Sequence, residues 1–431
     1  MFGVCKDKDD CLGIILGFSS VANGFMFHIG SLNLRVCDLI FWFLLLYWLV
    51  FKPYVRNYYN HQIIKGLAIA FIFFFWLTYS GFVNFEDYND VYRDFFVKYY
   101  VNKLLWIPLY AFIFMAYGGE KFFFNVLLGI SICITVNSVF VLYEYYSIMH
   151  GKLPDYSYLQ AIGIYIDSKK DDVINQNMIR PTGLMLDPNY TGGYAGIGFL
   201  FFDYLYRQTG KKKYVLYQMI SVVSMFIVFS RTGLFSLIIC YILSFLLSVF
   251  GKEKYQYKML SPFVFVILIS CFVLAGMYIY AFDEALFDFL MDRLTMSDSS
   301  AGTRTLYLEY YLNHTSIGQL LFGTGTSSVG LVLGNDFGGQ DNVWAPESNI
   351  ITFFIEQGLL FLFFYLVLCY HIFKKLLVLN YHYALIFTYI NLIGLSYNFL
   401  GDRVFYFLFV SFLLWIYVVK SNPCKMKLNI E

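Results

Sequence analysis

Long runs of apolar residues, divided by short polar segments, occupy most of the 431-residue chain. An α-helix needs about 20 such residues to cross roughly 30 Å of hydrocarbon. The pattern therefore predicts about twelve transmembrane helices in an all-α polytopic integral membrane protein, with residues 1–431 forming a single transmembrane domain. The predicted spans are residues 11–29, 36–51, 64–83, 101–118, 122–147, 189–206, 214–229, 233–250, 258–281, 347–372, 381–399 and 403–420.

The apolar run over residues 214–250 is too long for one span, because a helix of that length would measure about 54 Å. It is interrupted only by Ser230-Arg231-Thr232-Gly233, and basic residues flank it at both ends. Basic residues in short loops favour the cytoplasm. Both ends are then cytoplasmic, and the run must fold back as a hairpin with Arg231 near its outer tip.

The same rule orients the other spans. It leaves 16 of the 21 lysines on the cytoplasmic side and seven of the nine arginines on the outer side. Both termini are then cytoplasmic. Two long loops, residues 148–188 and 282–346, lie outside, and loops of this length often carry function.

Composition narrows the function further. The chain is 59% hydrophobic and 14% charged with a net charge of +1, which argues against a soluble domain and against nucleic acid as a partner. We attribute the 49 phenylalanines and 39 tyrosines to lipid-facing surface and an interfacial belt. Neither long outer loop contains any of the eight cysteines, so no outer disulfide framework is expected. We also expect no cofactor and no essential metal.

Three segments mark the outer N-terminal ends of helices that run inward: residues 180–189, 230–233 and 346–349. Such ends present free N–H groups and a positive dipole, and they bind phosphate readily. Arg180 and Arg231 add guanidinium forks, so a diphosphate clamp is predicted. The predicted substrate-binding residues in these segments are Asp187, Asn189, Ser230 and Asn349.

No phosphate-binding GxxxxGK[ST] loop and no dinucleotide fingerprint occurs in the sequence. A transferase built on this chain must therefore use a donor that is already activated on the outer face. A sugar linked to a lipid diphosphate meets that requirement, since the diphosphate is the leaving group.

The order of these segments resembles the superfamily of O-antigen polymerases (Wzy-type) and O-antigen ligases of bacterial inner membranes. The resemblance covers about residues 175–360. It rests on Arg180-Pro-Thr-Gly before a mid-chain span, Ser230-Arg-Thr-Gly233, a large loop with Arg304 and Phe322-Gly-Thr-Gly325, and Asn349 through Glu356-Gln-Gly358.

The resemblance implies polymerisation of oligosaccharide repeats, carried on undecaprenyl diphosphate, at the periplasmic face during synthesis of lipopolysaccharide or a related surface polysaccharide. It implies that Arg180, Arg231 and Arg304 hold the departing diphosphate. It also implies that membrane lipid and a chain-length regulator protein are partners. Glu347 is the candidate base by position.

Two alternatives stay open. Ligases carry a His directly before the Asn of the last segment, where this chain has Ser348, so a ligase is disfavoured. A flippase or other transporter has a similar number of spans, but the two long outer loops and the lack of repeated halves argue against a permease.

The predicted topology has a direct test. Single cysteines at Ser300 and Lys212, in a background without native cysteines, should differ in labelling by a membrane-impermeant thiol reagent. Only the outer position, residue 300, should react in intact cells. Equal labelling of both positions would contradict this topology.

Overall fold

The computed structural model of the protein describes residues 8–22, 24–29, 32–51, 61–84, 90–117, 120–150, 157, 165–166, 180–185, 187–228, 230–250, 270, 299–329, 332, 348–396 and 403–421. Helices dominate this part of the chain, as the hydrophobic pattern predicted. The predicted span 258–281 lies outside the described residues except for residue 270.

Up to residue 150, the described part of the chain consists mainly of helices of very different lengths. They are α1 Lys8–Val21, α2 Val36–Phe51, α3 His61–Val83, α4 Asp90–Tyr99, α5 Trp106–Ala116 and α6 Glu120–Met149. A π-helix, Tyr100–Leu104, joins α4 to α5. Single turns of π-helix often occur at functional sites.

The C-terminal half is also helical where it is described. Its helices are α7 Pro188–Thr209, α8 Lys213–Ile227, α9 Arg231–Phe250, α10 Ser299–His314, α11 Ile317–Phe322, α12 Asn349–Leu379, α13 Tyr381–Ser396 and α14 Arg403–Ser421. Most of their bounds agree with the predicted spans to within a few residues.

Four of these helices contain segments that are long and apolar enough to cross a membrane: Gln62–Val83, Lys121–Ile148, Arg231–Val249 and Asn349–Leu379. Several shorter apolar helices, such as Trp106–Met115 and Val404–Val419, accompany them. The chain therefore has the character of a helical membrane protein.

The predicted span 11–29 is wrong at its C-terminal end. Helix α1 ends at Val21, and Phe25–Ile29 forms strand β1, which pairs antiparallel with β2 (Leu32–Arg35) and β3 (Tyr165–Ile166). The Gly24 N–H donates to the Leu184 carbonyl 3.0 Å away, so tertiary contacts hold the chain here in an extended form. Apolar residues that could continue a helix are thereby drawn into a small sheet.

The long run over residues 214–250 divides into two helices, α8 and α9, as predicted. Helix α8 ends at Ile227, and α9 begins at Arg231. The turn between them packs on α7, where a Cβ placed on Gly192 would lie 2.0 Å from the Ser230 Cβ. Small residues at such crossings let two helix backbones approach closely. The contact fixes the start of α9 against the first turns of α7.

Aromatic side chains fill the interior as well as the lipid-facing surface. Phe43 and Phe75 are exposed, as the sequence suggested for a lipid-facing residue. Phe73 of α3, in contrast, is fully buried, with its ring centroid 5.6 Å from that of Phe361 and 5.2 Å from that of Phe409. These rings join α3, α12 and α14 through stacked and tilted contacts. The aromatic residues therefore pack the interior of the bundle in addition to forming the exposed surface that the sequence suggested.

Candidate functional site

The loop over residues 180–185 is held in place by two buried side chains of α6. One Glu144 carboxylate oxygen accepts the N–H groups of Thr182 and Gly183 at 2.7 and 2.9 Å. The Asn137 Oδ1 accepts the Leu184 N–H at 2.5 Å. A buried backbone N–H is costly unless it is hydrogen-bonded. These contacts therefore fix the loop in one position near the end of α6. They also fix the backbone of Arg180, which begins the loop.

Arg180 connects this loop to the turn between α8 and α9. Its Nε and Nη2 donate to the Val228 carbonyl at 2.9 and 2.8 Å, and Nη2 also donates to the Asn189 Oδ1 at 3.3 Å. Val228 precedes Arg231 by three residues. Two arginines that lie about fifty residues apart in sequence are thus brought to the same end of the helix bundle. Part of the Arg180 guanidinium group is hydrogen-bonded within the protein, so Arg180 also holds the loop and the turn together.

Two helix N-termini meet at this position. Asp187 caps α7: one of its carboxylate oxygens accepts the Asn189 N–H at 2.7 Å, and Pro188 occupies the first helical position. Ser230 precedes α9 and its Oγ accepts the Gly233 N–H at 3.3 Å. The structure therefore gathers five of the predicted residues: Arg180, Asp187, Asn189, Ser230 and Arg231. This end of the bundle carries two guanidinium groups and two positive helix ends.

The other predicted residues are distributed differently. Asn349 is buried in the first turn of α12, where a Cβ on Gly394 would lie 2.7 Å from its amide nitrogen. It lines an apolar cavity of about 330 Å³ between α9, α12 and α13. Arg304 lies on α10, but its side chain is outside the described residues, and so is all of Glu347.

Helix α12 bends sharply at Gly358, which has φ 79° and ψ 175°. The bend removes the helical partners of the carbonyl groups before it. Those of Ile355 and Glu356 accept instead from the N–H groups of Thr324 and Gly325, at 3.0 and 2.9 Å. The predicted Phe322-Gly-Thr-Gly325 segment is thus the start of a loop, residues 323–329, that packs onto the bend.

Hydrogen-bond donors from other helices also bind the carbonyl groups of Ile355 and Glu356. The Ser80 hydroxyl donates to the Glu356 carbonyl at 3.2 Å, and the Tyr311 hydroxyl donates to the Ile355 carbonyl at 3.3 Å. Burial raises the pKa of Tyr311, on α10, to about 12, so its hydroxyl stays protonated and remains a donor at neutral pH. The loop and the bend are therefore held by α3, α10 and α12 together.

Glu356 is a buried carboxylate that sequence reasoning did not single out as a site residue. Its carboxylate accepts the backbone N–H groups of Ser327 and Val329, and it interacts electrostatically with Lys103 of the π-helix. It also interacts with Tyr99 and Tyr406, whose hydroxyl groups lie 2.8 Å apart. An acidic residue inside an apolar helix is costly and is a functional candidate by default. That signal was present in the sequence.

A second charged cluster lies at the opposite end of α7. Asp203 is buried and accepts from the Arg207 Nε at 2.7 Å and the Gln218 Nε2 at 3.3 Å. The His382 Nδ1 lies 3.6 Å from the same carboxylate. This end was predicted to face the cytoplasm. The cluster joins α7, α8 and α13, and its donors surround the carboxylate as a structural anchor requires.

Within the described residues, no group of three or more His, Cys, Asp or Glu side chains could hold a metal ion. The five described cysteines, among them buried Cys133 and Cys240, are free thiols. No protein-family model matches the chain, and no curated protein matches it. The arrangement of the site itself must therefore support any assignment of function.

The contact between α6 and the 180–185 loop generates a stability prediction. Glu144→Ala would leave the N–H groups of Thr182 and Gly183 buried without their acceptor, at a cost of about 1–3 kcal/mol for each group. We expect a clear loss of melting temperature in detergent, with a smaller loss for Glu144→Gln, which keeps one acceptor oxygen. Glu309→Ala, at an exposed position on α10, is the matched control and should change stability little. Equal melting of Glu144→Ala and the control would contradict the role given to Glu144.

Proposed function

We propose that this protein polymerises oligosaccharide repeats carried on a lipid diphosphate, at the outer face of a bacterial inner membrane. The growing chain on its lipid diphosphate is the donor, and a sugar hydroxyl of a new lipid-linked repeat is the acceptor. The observation that carries the proposal is the Arg180 guanidinium bound to the Val228 carbonyl, which joins Arg180 to the turn that leads into Arg231.

The chemistry of this end of the bundle suits a diphosphate. Two positive helix ends and two guanidinium groups stabilise the negative charge that develops on the leaving group. Arg231 begins α9 and is half-buried, so its charge acts in a partly desolvated setting. Because Arg180 is hydrogen-bonded to Val228 and Asn189, it holds the starts of α7 and α9 at a fixed spacing. The groups that would donate to the diphosphate are therefore in place before the substrate binds.

The proposal includes the predicted topology of about twelve spans, with both termini in the cytoplasm and the loops 148–188 and 282–346 outside. In support, the described helices place Arg180, Asn189 and Arg231 at one end of α7 and the Asp203 cluster at the other. Basic residues of the predicted cytoplasmic loops, such as Lys211 and Lys212, lie at the Asp203 end.

The position of Ser348 favours a polymerase over a ligase. Ser348 caps α12: its Oγ accepts the Ile351 N–H at 3.4 Å, and its carbonyl accepts the Thr352 hydroxyl at 2.9 Å. This residue is buried and serves the helix start, so it offers no base where a ligase has histidine. Glu347 lies outside the described residues, and its position in the sequence makes it one candidate base.

Deletion of the gene tests the class of function. Loss of a polymerase should leave a single repeat on the lipid core, because the repeat is still made, moved across the membrane and ligated. The measurement is a gel of surface polysaccharide, with restoration of the ladder by the wild-type gene as the control. A deletion strain with no repeat at all would support a flippase or a ligase instead.

The arginine site generates a second prediction. Arg231→Ala should collapse the ladder, since loss of one charge-stabilising donor typically costs about 10²–10³-fold in rate. Arg231→Lys should restore only short chains, because an ammonium cannot make the bidentate contact. Arg93→Ala is the control: Arg93 lies on α4 and pairs with Asp90 at 3.5 Å, and its loss should leave full-length chains. Full chain length in Arg231→Lys would reduce Arg231 to a positive charge.

A further inference from the structure

The loop on the α12 bend contains polar atoms that the fold leaves unused. Ser327 is the only non-glycine residue in the described part of the chain with a positive φ, 69°. Its side chain is 6% exposed, and among the described residues its Oγ has no hydrogen-bond partner. The same holds for the Oε1 of Gln357, which is fully buried. Strained backbone and unsatisfied buried polar atoms concentrate at functional sites.

Both atoms have a fixed position. The Gln357 Nε2 donates to the Thr326 hydroxyl at 2.7 Å, which orients the amide and leaves its oxygen available. Ser327 gives its N–H to the Glu356 carboxylate, so its hydroxyl lies on the residue that binds this carboxylate. A hydroxyl acceptor, an amide oxygen and a carboxylate are therefore combined within two short segments, residues 326–329 and 356–357. Sugar hydroxyls are ligands that such groups bind.

Two tyrosines connect this cluster to the arginine site. Tyr99 interacts electrostatically with Glu356 and with Tyr190. Tyr190 follows Asn189, the residue that Arg180 contacts at 3.3 Å. Tyr99 thus interacts both with the buried carboxylate and with a residue in the first turn of α7, where the arginine site lies. A reaction with a diphosphate leaving group at the arginines also needs a base for the acceptor hydroxyl.

We propose that Glu356 is the general base of the transfer, and that Ser327 and Gln357 bind the acceptor sugar beside it. The inference rests on the proposed function. The acceptor O–H gives its proton to the Glu356 carboxylate while its oxygen forms a bond to the anomeric carbon of the donor. The bond from that carbon to the phosphate oxygen breaks, and its electron pair leaves with the lipid diphosphate, which the arginines hold. Lys103 interacts electrostatically with the Glu356 carboxylate.

The test uses a deletion strain complemented with wild type, Glu356→Gln, Glu309→Gln or Ser327→Ala, each at matched membrane level. Glu356→Gln keeps an oxygen that can accept the Ser327 and Val329 N–H groups but cannot take a proton. We expect a loss of about 10²–10⁴-fold in transfer, seen as single repeats in place of the ladder. Glu309→Gln, at an exposed position on α10, is the matched control and should give full-length chains.

The melting temperature in detergent shows whether a variant loses activity because it folds poorly. Ser327→Ala provides a second test of the proposal. The Ser327 hydroxyl supports no hydrogen bond among the described residues, so its removal should leave melting unchanged while it shortens the chains. A normal ladder from Glu356→Gln, or from Ser327→Ala, would overturn the proposal. A wild-type gene that fails to restore any ladder would instead reject the proposed function itself.

Discussion

The need to satisfy backbone polar groups in an apolar setting governs this structure. Inside hydrocarbon an unpaired N–H or C=O costs several kcal/mol, so a break in a helix persists only where side chains or loops supply partners. The three breaks at one end of the bundle meet this condition in different ways. Glu144 supplies acceptors to the 180–185 loop, Arg180 supplies donors to Val228, and the 323–329 loop supplies donors to the bend at Gly358. The candidate site consists largely of the groups that supply these hydrogen-bond partners. The same groups are suited to bind a charged ligand.

The sequence predicted the parts of the fold that depend on local pattern. Hydrophobic length located most helices, the Ser230-Arg231 interruption located the hairpin, and Asp187-Pro188 located the start of α7. Partners distant in sequence could not be predicted in this way. Strand β1 replaces the end of a predicted span because it pairs with β2 and also with β3, which lies about 140 residues away. Glu144 was missed for the same reason, since nothing near it in sequence shows that it binds the 180–185 loop.

Charge is used differently at the two ends of α7. At the Asp203 end, Arg207 and Gln218 donate to one buried carboxylate, so the charges are compensated within the protein. Removing one partner of such a buried pair leaves an uncompensated charge, which is why these groups fix helix positions. At the Asn189 end, Arg180 and Arg231 lie beside the starts of α7 and α9, and the Asp187 carboxylate caps one of these starts. Guanidinium groups and helix N-termini together suit an anionic ligand.

The bend at Gly358 also has a mechanical consequence. Because the N–H groups of Thr324 and Gly325 occupy the carbonyls of Ile355 and Glu356, the loop and the helix share one set of hydrogen bonds. Lifting the loop would leave these carbonyls with only the Ser80 and Tyr311 hydroxyls as donors. A straighter α12 would supply its own N–H groups instead, so loop position and helix shape are coupled. Since α12 also forms one wall of the cavity beside α9 and α13, a change in the shape of α12 would reach that cavity as well.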